Sequence, residues 1–84
     1  MDAIYVGIDV SKDRLDVHMR PSGEAFAVGR DGKGLEDLVA RLVACPPTLI
    51  GVEATGGFET VVAAALTGAQ LPLVVINPAQ IRHF

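Results

Sequence analysis

Two short runs in this chain share a pattern that few folds can accommodate. "YVGIDVSK", residues 5–12, sets Asp9 in an apolar stretch two positions after Gly7. "LIGVEATGG", residues 49–57, does the same with Glu53 and Gly51. An ionised carboxylate in the middle of a buried strand loses its hydration with nothing in return. Each acid must therefore lie at a strand end that water or a cation can reach. The fold has to supply two such ends.

The rest of the chain supplies them. Ile4, Val6, Ile8 and Val10 alternate with Tyr5, Gly7 and Asp9, which predicts a strand with one buried face. "SKDR" reads as a turn, and Leu15, Val17 and Met19 then alternate with Asp16, His18 and Arg20 as a second strand. Pro21-Ser22-Gly23 is a tight turn into a third strand, "EAFAVGR", so these strands form an antiparallel meander. Asp31 is placed to cap a helix whose apolar stripe is Leu35, Leu38, Val39, Leu42 and Val43, ending before Pro46. "TLIGVEA" is apolar on both faces and predicts a central strand. Phe58, Val61, Val62, Ala65 and Leu66 repeat the helical spacing, with Gly68 closing that helix. "LPLVVI" is a fifth strand, and Asn77-Pro78 looks like the cap and first position of another helix.

The order βββαβαβ, three antiparallel strands and then two crossover units, describes an α/β ribonuclease H-like mixed sheet of strand order 3-2-1-4-5. The chain stops before the C-terminal helices of that fold. Strands one and four become parallel neighbours, and Asp9 and Glu53 converge at the edge where α/β sheets place their ligands. Right-handed crossovers put both complete helices on one face. The other face, with Tyr5, Leu49 and Leu73, is expected to be bare and to drive self-association into a homo-oligomer. That fits a chain that is 50% hydrophobic over only 84 residues, one domain or part of one.

Two carboxylates brought together repel unless a proton or cation joins them. Hard oxygen ligands on rigid strand ends suit Mg²⁺ or Mn²⁺, and paired ions of this kind serve phosphodiester cleavage. Asp9 and Glu53 are therefore the candidate catalytic and metal-binding residues. Lys12, just beyond Asp9, and the N–H groups of Gly56 and Gly57 at a helix start are candidate phosphate contacts. Glu59 is expected to face its helix dipole, whereas Asp13, Asp16, Glu36 and Asp37 read as solvated. His18 and His83 receive no role. A net charge of −3 is not the footprint of a free-standing nucleic-acid binder, so any contact to a polyanion has to be local. No apolar run is long enough for a membrane span, and the N-terminus shows no basic-then-apolar signal. The single cysteine, Cys45, excludes an internal disulfide, fits a reducing cytoplasmic setting and reads as a small packed hydrophobe.

"GIDVSKDRLDV", "GVEATGGFE" and "VVINPAQIRHF", in this order, closely resemble the N-terminal part of DEDD-type insertion-sequence transposases, family one-hundred-ten, related to the pilin-gene invertase. The resemblance implies that residues 1–84 are the N-terminal part of a RuvC-like catalytic domain. It implies metal-dependent DNA cleavage and strand transfer in the full-length protein, with the family's first Asp at Asp9 and its Glu at Glu53. The family's other two acids and a strand-exchange serine would lie beyond Phe84. DNA is the implied partner, and an element-encoded guide RNA is a further one. Sugar kinases and actin-like ATPases begin with the same element order and also place an Asp at the end of strand one. Their next turn is glycine-rich where this chain has "DVSKDR". A non-enzymatic assembly module of the ribonuclease H-like fold is the remaining alternative.

Overall fold

The alternation in residues 5–10 becomes a strand because Val6, Ile8 and Val10 can all leave water on one side. In the computed structural model, which describes residues 3–53 and 56–76, β1 (Tyr5–Val10) buries Val6, Ile8 and Val10 and turns Tyr5, Gly7 and Asp9 outward. Antiparallel to it runs β2 (Arg14–Arg20), which is itself paired antiparallel with β3 (Ala25–Gly29). The chain continues through α1 (Gly32–Ala44), β4 (Leu49–Glu53), α2 (Glu59–Gly68) and β5 (Leu73–Ile76). Both crossover strands are parallel to their neighbours, and the sheet order is β3-β2-β1-β4-β5, as expected. The helix start expected at Asn77-Pro78 lies outside the described residues, as does His83.

Leu38 and Leu42 of α1 and Val62 and Leu66 of α2 are fully buried in one cluster with the inward side chains of β1, β2 and β4. Both helices thus cover the same face of the sheet, the geometry that right-handed crossovers impose. The N-terminus of α1 is fixed by Asp31, whose carboxylate accepts from the Gly34 N–H at 2.8 Å. Gly34 itself is buried against Gly29. A Cβ there would collide with the Gly29 carbonyl group and lie 2.7 Å from its nitrogen. Helix and strand meet backbone to backbone at this point. Among the described residues no helix is long and apolar enough to cross a membrane.

Several details differ from the sequence reading. Val43 and Val61 are 53% and 48% exposed, because each lies on the flank of its helix rather than over the sheet. Cys45 is exposed: it is the C-cap of α1, its N–H bonded to the Arg41 carbonyl at 3.2 Å, and Pro46 follows it directly. Gly68 is still helical. The reversal comes at Gln70, with φ of 61°, where Leu71 N–H bonds Leu66 O at 3.1 Å and Gln70 N–H bonds Thr67 O at 2.9 Å. This is a Schellman closure with glutamine where glycine is usual.

The uncovered face also differs from the expectation. Leu73 pairs with Ile50, so it points toward the helices and packs on the core. Val74 and Ile76 are the β5 residues that share the face of Gly51 and Glu53. The exposed large apolar residues of the open face are therefore Tyr5, Leu49 and Val74, at 51%, 38% and 46% exposure, with Ile76 half-buried beside them.

Gly34→Ala should destabilise the chain by about 2–3 kcal/mol, the upper part of the range for forcing a methyl into a filled contact. Gly32→Ala, where the added methyl meets nothing within 4 Å, should leave stability unchanged or raised. Urea unfolding of the two variants checks the contrast.

Candidate active site

The β1–β4 ladder pairs Tyr5 with Leu49, Gly7 with Gly51 and Ile8 with Val52. The next residue on each strand is an acid, so Asp9 and Glu53 stand level at the C-terminal edge. Neighbouring strands run about 4.8 Å apart, which makes the two residues near neighbours on one face. Both border an open depression of about 400 Å³, together with Gly7, Ile8, Gly51, His18 and Ile76. Asp9 is exposed and Glu53 half-buried. A slightly larger hollow, about 470 Å³, opens at Met19, Phe26, Arg41 and Cys45, and its lining holds no pair of carboxylates.

A third acid faces the first. Asp16 is the cross-strand partner of Asp9, and directly opposed like charges destabilise a sheet. Arg14 answers this by holding Asp16 through Nη2 at 2.7 Å and Nε at 3.0 Å, both on the same oxygen. That hydrogen bond first, and the Asp16 charge second, raise the Arg14 pKa above its ordinary value. Asp16 is thus half-buried and paired, rather than simply solvated. Asp9 makes no hydrogen bond or ion pair among the described residues. No cluster of three metal-ligating side chains occurs among the described residues either.

The loops at this edge are tied together by Arg30. Its Nε donates to the Lys12 carbonyl at 2.6 Å and its guanidinium lies 4.9 Å from the centre of the Phe58 ring. One side chain thereby links the β1–β2 turn to the start of α2. Lys12 is exposed in that turn and does not border the depression. Gly56 and Gly57 hold φ of 58° and 92°, values an L side chain rarely adopts. The Gly57 N–H donates to Glu59 Oε1 at 3.0 Å. Glu59 does stand in the first turn of α2, as expected, and it also occupies one N–H of the candidate phosphate cradle.

His18 is the residue that sequence reasoning passed over. It lies directly across from Gly7 in the β1–β2 pairing and borders the depression. The signal was present: a short turn at "SKD" fixes the hairpin register, and that register sets His18 opposite Gly7.

The family profile of the DEDD transposases of insertion-sequence family IS110 matches residues 6–84. No curated protein matches the chain. Among solved structures, RuvC of Thermus thermophilus aligns with a TM-score of 0.56 at 19% identity. The alignment covers 94% of this chain and 64% of the RuvC chain, so the present chain spans just under two thirds of that protein. At this identity the likeness is one of fold, and it agrees with the ribonuclease H-like strand order. The profile match extends from Val6 to the last residue, and the chain belongs to the IS110 family of DEDD transposases.

Proposed function

We propose that residues 1–84 form the N-terminal part of a RuvC-like catalytic domain whose full-length protein cleaves DNA phosphodiesters and transfers the strands. Asp9 and Glu53 would hold Mg²⁺ or Mn²⁺. The observation that carries this reading is two carboxylates level on adjacent parallel strands, sharing one open depression. The donor set fits: both are hard oxygen ligands, as these ions prefer. When bound, the ion supplies positive charge to a phosphodiester oxygen. The chain's own contribution is rigidity, since strand ends fix both carboxylates, and clearance, since Gly7 leaves the floor beside Asp9 bare. Lys12 and the N–H groups at Gly56-Gly57 would contact flanking phosphates, with Gly57 shared by Glu59. The remaining ligands would come from residues beyond those described.

DNA is the partner this reading requires, and a guide RNA is a further one consistent with the family. A cytoplasmic setting follows from the same role. The kinase or ATPase alternative needs N–H groups in the β1–β2 turn to cradle phosphates. Instead, the Ser11 N–H and hydroxyl both bond the Arg14 carbonyl at 2.9 Å. The assembly-module alternative leaves the paired acids without a purpose.

In the full-length protein, Asp9→Asn or Glu53→Gln should lower Mg²⁺-dependent DNA cleavage about a thousandfold, the scale of losing several kcal/mol of charge stabilisation. The 84-residue chain alone should bind Mg²⁺ weakly and cleave nothing, because two carboxylates leave most of an octahedral shell to water. Nicking by the short chain, lost in Asp9→Asn, would overturn the second expectation. Protection from thermal unfolding by ATP would favour the kinase alternative. Arg14→Ala, by releasing the Asp16 carboxylate beside Asp9, should tighten Mn²⁺ binding several-fold. Isothermal titration checks the sign. The Tyr5, Leu49 and Val74 patch should make the 84-residue chain self-associate, read by light scattering, and Val74→Lys should return it to monomer.

A further inference from the structure

The two glycines of the site have different reasons to be there. A Cβ on Gly51 would lie 2.9 Å from Ile76 Cδ1, so Ile76 from β5 already occupies that space. A Cβ on Gly7 would meet nothing within 4 Å, and Gly7 does not have a positive φ. Neither packing nor backbone conformation calls for glycine at position 7, and glycine weakens a strand interior. What its absent side chain leaves is open space, on the floor between Asp9, Glu53 and His18.

The chemistry around that space is one-sided. Ionised Asp9 and Glu53 only accept hydrogen bonds, and Ile76 is apolar. β1 and β4 are flanked by strands on both sides, so their backbone N–H groups are engaged in the sheet. Among the described side chains that border the depression, His18 alone can donate a hydrogen bond. Its imidazole makes no hydrogen bond or ion pair among the described residues, and the residue is exposed. Its cross-strand neighbour on β1 is the bare Gly7, and on β3 it is Ala25. A donor aligned with an open channel beside a carboxylate pair suits an anionic ligand that the carboxylates alone would repel.

We propose that His18 is a substrate-contacting residue: its imidazole N–H hydrogen-bonds a non-bridging oxygen of the phosphodiester, whose path crosses the bare Cα of Gly7. The inference rests on the reading of Asp9 and Glu53 as the cation-holding pair of a DNA-cleaving site. Gly7 then acts as a steric determinant, keeping that path clear.

The test measures binding to a fluorescein-labelled DNA duplex in Ca²⁺ by anisotropy, and Mn²⁺ binding by electron paramagnetic resonance, on the full-length protein. His18→Ala should weaken duplex binding about tenfold, the scale of one charge-assisted hydrogen bond, with Mn²⁺ binding unchanged. His18→Arg should restore duplex binding, which a merely structural role would not predict. Gly7→Val should lose duplex affinity while keeping Mn²⁺ binding and the melting temperature. Wild-type duplex affinity in both His18→Ala and Gly7→Val would overturn this inference and leave the metal site standing. Unchanged Mn²⁺ binding and unchanged cleavage in Asp9→Asn and Glu53→Gln would overturn the metal-site reading itself, and this inference with it.

Discussion

Everything at this site depends on the register of the parallel β1–β4 ladder. Gly7 opposite Gly51 and Ile8 opposite Val52 bring the next residues, Asp9 and Glu53, level on one face. Because side chains alternate with a period of two, a one-residue slip of β4 would turn Glu53 toward the helices and Ile50 and Val52 toward water. The slip is resisted from both ends. Ile50 and Val52 are fully buried against the helices, and Thr48 locks the entry, its N–H on the Ile4 carbonyl at 2.7 Å and its hydroxyl accepting from the Ile4 N–H at 3.1 Å. Hydrophobic burial on one face thus sets the geometry of the acids on the other.

Charge is distributed with the same economy. Asp16 would stand as an uncompensated carboxylate across from Asp9, but Arg14, two residues back on the same strand face, takes it. The site is left with a defined pair of acids instead of a diffuse cluster. Arg30 performs a mechanical task beside it, joining the Lys12 turn to the ring of Phe58 at the head of α2. The two loops flanking the acids are therefore tied by one side chain that does not itself enter the depression.

Much of this was legible in the sequence wherever a periodic signal was long enough. Alternation over residues 4–10 and 15–20 fixed the faces of β1 and β2, the helical stripes found Leu38, Leu42, Val62 and Leu66, and the element order gave the sheet topology. The parity of β5 was not legible. "LPLVVI" is apolar at nearly every position, so its sequence holds no alternation to say which residues face the helices. Its register instead follows from the Schellman closure at Gln70, which packs Leu71 on the core, and from the Ile50 N–H bonded to the Pro72 carbonyl at 2.9 Å. Gln70 was missed for a related reason, since a left-handed glutamine has no compositional mark and the nearby Gly68 offered a more conventional stop. Cys45 was misjudged because cysteine is commonly buried, whereas here it is the point at which α1 ends. His18 was visible only to an argument that followed the hairpin pairing across strands.

The one-sided core has a further consequence for how such a chain can change over time. Among the described residues, the buried side chains of β1, β2 and β4 face the helices, while Gly7, Asp9 and His18 project from the opposite side and are exposed. Chemistry and folding are thereby written on alternate residues of the same strands. A substitution at an odd position of β1 alters the exposed face that carries the acids, and one at an even position alters whether the domain holds together. The two kinds of change are nearly separable, so the exposed side can diversify by single steps without each step being screened first for foldability.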